Sequence, residues 1–282
     1  MLLKKRERPI EMRKLESLEG RMTLNTDYTR QLHQMRLGYA GECQFDCMAE
    51  ELDDYVIRIN DFTLARQQLC QIDSIFISNQ KIYLLDIKNW SKTYTLNRSG
   101  FESLHNDPLD QLKRARKIFT NMLESLGIRL PVEARLVFIN PEIVLYGMDA
   151  NLPIILSQQI PDYFNKIRHS SGPITKWEEQ IAKKILAQHT DENPYRLQVP
   201  YSTESVQPGI LCSTCRILMA EKSHKFLCCP KCLETESKAH AVRRSEQELL
   251  LLFPDSRPYI HKLYKWCGEM VSKQSLHSLK SK

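Results

Sequence analysis

Asp73, Asp86 and Lys88 lie in two short apolar stretches, residues 71–77 and 81–88, separated by Asn79-Gln80. Charge inside apolar, β-forming runs is costly without a partner, so such a cluster is expected to bind something. Alternate residues of a strand share a face. Asp86 and Lys88 therefore point together with Ile82 and Leu84, and Asp73 points with Ile75 and Ile77. A hairpin turning at Asn79-Gln80 sets the two carboxylates side by side. Adjacent carboxylates repel, which raises the proton affinity of one unless a cation bridges them. Mg²⁺ or Mn²⁺ suits such hard oxygen ligands, and the backbone oxygen of Ile87 is a further donor of the same kind. The ammonium of Lys88 would then neutralise a phosphodiester or position an attacking water. The bland alternative is a pair of structural ion pairs at the strand ends.

A second constellation lies near the C-terminus. Cys212-Ser-Thr-Cys215 and Cys229-Pro-Lys-Cys232 are two CxxC knuckles with thirteen residues between them. Four thiolates make a closed tetrahedral Zn²⁺ site, structural rather than catalytic because no coordination position is left for water. Cys228 stands in CxxxC spacing to Cys232, so Cys229 is the better ligand, and His224 is the other conceivable substitute. A redox role for the CxxC pairs is the alternative, disfavoured because paired knuckles in a reducing compartment point to zinc.

These groups need a scaffold, and the composition supplies one. The 282 residues are 42% hydrophobic and 26% charged, which suits a packed core rather than disorder. The net charge of +6 fits a nucleic-acid partner without requiring one. No apolar run approaches the ~20 residues of a membrane helix, and the charged start MLLKKRERPIEMRK lacks the apolar core of a secretory signal. Nine cysteines without that signal argue against a disulfide framework. A cytoplasmic protein with no membrane contact is expected.

Hydrophobic periodicity predicts helices over 10–36 and 39–54, the second entered through Gly38 and Gly41. The period then changes to two, predicting strands at 55–60, 70–77 and 81–87, with another at 91–96. A helix follows at 106–126, with Asn106 or Asp107 as its N-cap. The run RLVFIN at 135–140 predicts a buried, central strand. Short strands at 144–146 and 154–156 and helices at 161–168 and 177–189 complete this part. Residues 190–208 are polar and carry three prolines, marking a linker.

Gly38-Tyr-Ala-Gly-Glu42, Gln71-Ile-Asp73 and Leu85-Asp86-Ile-Lys88-Asn89, taken in this order, resemble the motifs of the nuclease-related domain (NERD) family of the PD-(D/E)xK superfamily. The resemblance covers about residues 37–165. It implies an α/β fold, an α+β mixed sheet with a restriction-endonuclease-like αβββαβ core. It also implies Glu42 as the helix acid, Asp73 and Asp86 as metal-binding acids, Lys88 as the active-site lysine and Gln111 as a water- or phosphate-contacting residue. Asp86 departs from the glutamate more often found there, which leaves the chemistry intact but alters metal geometry. The ribbon and the helical segment after it also look like the tail of some bacterial members of the family.

The resulting domain reading is an N-terminal helical segment (1–36), a nuclease-like domain (37–190), a linker (191–208), a zinc ribbon (209–235) and a helical, helix-turn-helix-like tail (236–282) with a basic end. The expected function is Mg²⁺- or Mn²⁺-dependent phosphodiester hydrolysis, in DNA, with ribbon and tail docking the substrate. Two alternatives stay open. One is a non-catalytic nucleic-acid-binding or regulatory protein on the same fold. The other is a zinc-ribbon module that tethers the first domain to a protein complex.

Overall fold

The computed structural model describes residues 1–65, 69–97, 100–102, 104–191, 199–255 and 257–280. Residues 192–198 of the expected linker lie outside them, as do Ser256 in the turn before the last helices and residues 281–282 of the basic end.

In chain order the elements are β1 (Leu2–Lys4), α1 (Ile10–Glu19), α2 (Thr26–Met48), β2 (Ile57–Ala65), β3 (Leu69–Ile77), β4 (Ile82–Lys88), β5 (Thr93–Asn97), β6 (Gly100–Phe101) and α3 (Pro108–Ser125). They continue as β7 (Val132–Phe138), β8 (Val144–Tyr146), β9 (Ile154–Leu156), α4 (Ile160–Ser170), α5 (Lys176–Leu186), β10 (Ala220–Glu221), β11 (Phe226–Cys228), β12 (Thr235–Ser237), α6 (Lys238–Leu252), α7 (Ile260–Trp266) and α8 (Lys273–Lys280). Two compact units result. One comprises Met1–Glu7 with Arg36–Tyr195, the other Arg8–Met35 with Arg196–Lys282.

The first unit is built on a mixed six-stranded sheet in the order β1-β2-β3-β4-β7-β9. β2, β3 and β4 are antiparallel neighbours, whereas β7 runs parallel to both β4 and β9. The order α2, β2, β3, β4, α3, β7 is the αβββαβ succession expected. β7 stands one place from the sheet edge rather than at its centre, but Leu136, Val137 and Phe138 are all buried because both its faces are covered.

One face of this sheet, with Ile57, Ile59, Ile75, Ile77, Ile82 and Leu84, packs on Phe119, Met122 and Leu123 of α3 and on Ile181, Ala182 and Ile185 of α5. The other, with Phe76, Tyr83, Leu85 and Ile87, packs on Phe45 at the end of α2 and on Phe164 and Ile167 of α4. α3 starts where Asp107 caps it, accepting the Leu109 N–H at 2.8 Å ahead of Pro108 in the first turn. α5 starts with a capping box, in which the Glu178 carboxylate accepts from the backbone and hydroxyl of Thr175.

α2 corrects an expectation. It passes through Gly38 and Gly41 without a break rather than beginning there, while the helix expected over 10–36 ends at Glu19 and a new one starts at Thr26. β1 is a further strand, paired parallel with β2, where sequence periodicity showed nothing.

The second unit assembles α1, the ribbon strands β10–β12 and helices α6–α8 around one core. Leu18, Ile210, Leu227, Val242, Leu249, Leu263 and Trp266 belong to it. Arg21 stacks on the Trp266 ring at 3.8 Å and pairs with the buried Glu248 at 2.5 Å.

Candidate active site and metal centre

The ladder between β3 and β4 runs from Ile77↔Ile82 to Ser74↔Leu85 and stops there. On the other side of β3 the pairing with β2 skips from Asn60↔Ser74 to Phe62↔Ile72, leaving Asp61 and Asp73 unpaired. Asp61 takes a left-handed backbone conformation, with φ of 53°, one that Asp tolerates better than most residues. Asp73 is therefore where β3 leaves both ladders. Its side chain substitutes for the missing backbone contact, with Oδ2 accepting the Ile87 N–H at 2.8 Å.

Asp86 and Lys88 follow on β4, facing the same way, with Nζ of Lys88 2.6 Å from Oδ1 of Asp86. Both side chains are about one-fifth exposed, enough for a solute to reach them. Burial pushes the Asp73 carboxyl well above the usual carboxylate range, and the nearby negative charges of Asp86 and Glu42 add to this. Burial pulls the Lys88 ammonium down, but Asp86 and Asp73 outweigh it and leave its proton more tightly held than usual.

Glu42 reaches this centre from α2. Burial raises its proton affinity, opposed by the cation of Arg6 and supported by Asp61 and Asp46. The helix can approach so closely because residue 41 is glycine. A Cβ there would fall 2.6 Å from Cβ of Asn89 and 3.0 Å from Ile139. Asn89, directly after Lys88, donates to the Leu37 carbonyl at 2.8 Å and accepts from Asn140 at 3.1 Å, binding the end of β4 to the helix.

Arg6 was invisible to sequence reasoning. It follows β1, and its side chain is only 3% exposed. Nη1 donates to Oε2 of Glu42 at 2.8 Å, Nε and Nη2 hold both oxygens of Asp46 at 2.8 and 3.1 Å, and Nη2 also reaches the Asp73 carbonyl at 2.7 Å. Its bonds to Asp46 and the charge of Glu42 keep it protonated despite burial. An isolated arginine in a charged N-terminal run carries no signal of this role.

The structure thus brings Asp73, Asp86 and Lys88 together and presents Glu42 beside them, tied to Asp73 through Arg6. Ile87 takes part through its N–H. Gln111 is exposed on α3, and among the described residues no hydrogen bond links it to the acids. His105 is likewise exposed in the turn before α3.

The cysteine site is built by two matching knuckles. In the first, Arg216 N–H bonds Cys212 O and Cys212 N–H bonds Ile217 O. In the second, Leu233 N–H bonds Cys229 O and Cys229 N–H bonds Glu234 O. Arg216 and Leu233, each just after its CxxC, are left-handed with φ of 56° and 61°, the turn that folds both sulfurs inward. The sulfurs of Cys212, Cys215, Cys229 and Cys232 all lie within 4.8 Å of one another, with near pairs at 3.2, 3.4 and 3.6 Å. A tetrahedral zinc with Zn–S of about 2.3 Å needs edges of ~3.8 Å, so the four sulfurs could bind zinc and fit a zinc ribbon. Backbone N–H groups of Cys232 and Lys231 aim at Cys229 and hold its thiol down to about 6. Cys228 turns away, its sulfur near the carbonyls of Cys229 and Leu233, and His224 is exposed outside the cluster.

Among the described residues, no helix is long and apolar enough to cross a membrane. No curated protein matches the chain. A solved structure of a protein from Vibrio cholerae is similar over 55% of this chain and 37% of that one, at 13% identity. Its TM-score of 0.26 is too low for any inference. The match to a family model is specific: it spans residues 37–139, from the helix that carries Glu42 to the end of β7, and its description is "Nuclease-related domain". Over residues 37–139 this chain is thus similar to the nuclease-related domain (NERD) family.

Proposed function

We propose that this protein is a metal-dependent nuclease that hydrolyses phosphodiester bonds in DNA. The observation that carries the reading is the break in β3. It sets Asp73 beside Asp86 and Lys88 on adjacent strands, inside the segment that matches the nuclease-related domain. Burial and the neighbouring charges of Asp86 and Glu42 raise the proton affinity of Asp73, and a divalent cation would relieve that repulsion.

Asp73 and Asp86, with the backbone oxygen of Ile87, would hold Mg²⁺ or Mn²⁺, and Glu42 would assist. The ion would supply Lewis-acid polarisation of the phosphate and lower the pKa of an attacking water. Asp86 keeps Lys88 within reach of the same spot, where the ammonium would offset charge that develops on the phosphate in the transition state. Gln111 would enter only through contact with substrate. The ribbon and the helices after it would dock nucleic acid through phosphate contacts that weaken with salt.

Incubation of the purified chain with plasmid DNA and Mg²⁺ or Mn²⁺ tests this reading. Cleavage by the wild type is expected, falling by roughly 10²-fold or more in Asp86→Ala and Lys88→Ala, since each removes a group aimed at developing charge. Wild type inert on every DNA and RNA form would sink the proposal. Salt-dependent binding surviving in that case would favour a non-catalytic nucleic-acid-binding protein on the same fold.

A further inference from the structure

We infer that Arg6, which lies outside the family-matched segment, is a positioning residue of the proposed nuclease site, supplied in cis by the segment that follows β1. The inference rests on the nuclease reading and adds a part that the matched segment does not contain.

Three features make Arg6 more than a buried ion pair. First, it bonds groups on two different elements, Glu42 and Asp46 of α2 and the backbone of Asp73. Second, the carbonyl it holds belongs to the residue where β3 has left both ladders. A released carbonyl in a half-buried place needs a donor, and Arg6 is that donor. Third, Asp46 accepts in the bidentate manner that fixes the guanidinium plane, so the direction of Nη1 toward Glu42 and of Nη2 toward Asp73 is set as well.

The clamp thereby fixes the separation between the helix acid and the central acids. Asp73 Oδ2 is bound to Ile87, one strand further on, so the order Arg6–Asp73–Ile87 carries this constraint to the residue between Asp86 and Lys88. Lysine cannot reproduce it: an ammonium is a point charge with three donors, without the planar fork that meets a carboxylate on one edge and two other acceptors elsewhere. β1 holds Arg6 in place through parallel pairing with β2, reinforced by Lys4, whose ammonium donates to the carbonyls of Asn60 and Asp61 at 3.0 and 2.8 Å.

The test uses the full chain carrying Arg6→Lys and, separately, Arg6→Gln. It reads plasmid cleavage over a range of DNA and Mn²⁺ concentrations, Mn²⁺ binding by titration calorimetry, and the melting curve. Partners that orient metal-binding groups are worth roughly 10–100-fold in activity or metal affinity. Arg6→Lys is expected to keep a cooperative melt and the KM for DNA, while kcat falls and the Mn²⁺ half-saturation rises within that range. Arg6→Gln should fall at least as far. A folded Arg6→Lys protein with wild-type kcat and Mn²⁺ binding overturns the inference and leaves the nuclease reading standing. So does a loss confined to KM. If Arg6→Gln fails to fold, Arg6→Lys alone decides. A wild type that neither cleaves nor binds Mn²⁺ overturns the nuclease reading, and this inference with it.

Discussion

At the scale of single residues, the site stores a like-charge conflict, and its sign can be worked out. Asp73 holds its proton well above its ordinary value of 3.8 because of burial and the nearby Asp86 and Glu42. A group whose folded value is raised contributes stability in full below its unfolded value, and this share is lost as pH rises through the folded value. The metal-free protein should therefore lose Asp73's share as pH rises from its ordinary value of 3.8 through the raised folded value. Asp73→Asn removes the titration and keeps an oxygen for the Ile87 N–H. In chelator, its melting temperature should exceed the wild type's at pH 8 by more than it does at pH 5. Groups held low by cations, such as Glu133 beside Lys81 and Arg135, are common to both proteins and cancel. A pH-independent difference would show that Asp73 does not carry the conflict. The two motif glycines separate just as sharply. Gly41→Ala drives a Cβ against Asn89 and Ile139, an overpacking that costs about 1–3 kcal/mol. Gly38 has nothing within 4 Å of such a Cβ, so Gly38→Ala should gain up to about 1 kcal/mol of helix propensity. Chemical denaturation of the two variants checks both signs. The chemistry-bearing residues were legible because charge stood out from apolar strands. Arg6 was not, because its meaning depends entirely on where β1 pairs.

At the scale of elements, strands marked by alternation or a fully apolar run were located, although β2, expected at 55–60, runs on to Ala65. β8 and β9 fall where expected, and β3, β4 and α3 lie within a residue or two. β7 was placed three residues late, since Val132 and Glu133 precede its obvious apolar run. α2 was misread because two glycines near one another look like a helix entry, whereas both lie mid-helix and only Gly41 sits against Asn89. The cysteine element was legible from spacing alone, and the structure settles its fifth cysteine. Cys212→Ser should abolish zinc retention and unfold the ribbon strands, since structural zinc contributes on the order of 10–16 kcal/mol in small zinc folds. Cys228→Ser should leave one zinc per chain, because that sulfur points to the carbonyls of Cys229 and Leu233 instead. Metal analysis of the two purified variants distinguishes them; zinc loss in Cys228→Ser alone would reverse the assignment.

At the scale of the molecule, neither unit is a continuous stretch of chain. Residues 1–7 fold with 36–195, and residues 8–35 fold with 196–282. Spacing and periodicity are local signals, so they cannot reveal that an N-terminal helix completes the core of a C-terminal ribbon. The contacts make this consequential. Leu18 is fully buried in a cluster with Ile210, Leu227 and Trp266. Arg216 donates to the Glu16 carbonyl, to Ser17 at 3.1 Å and to Glu248 at 2.7 Å, fastening the first cysteine knuckle to α1 and α6. A ribbon has little apolar surface of its own to bury, so α1 supplies core that a zinc held by the four cysteines would not. Leu18→Ala should then destabilise the ribbon-bearing unit by roughly 2–5 kcal/mol, the usual loss for a buried leucine. Trp266, stacked under Arg21 and donating to the Ser245 carbonyl at 2.9 Å, reports on that unit once Trp90 and Trp177 are replaced by phenylalanine. Its denaturation midpoint should shift down in Leu18→Ala, with zinc released earlier along the curve. An unchanged midpoint would mean that the ribbon and its following helices fold without α1, and that residues 8–35 lie on them without contributing to their stability.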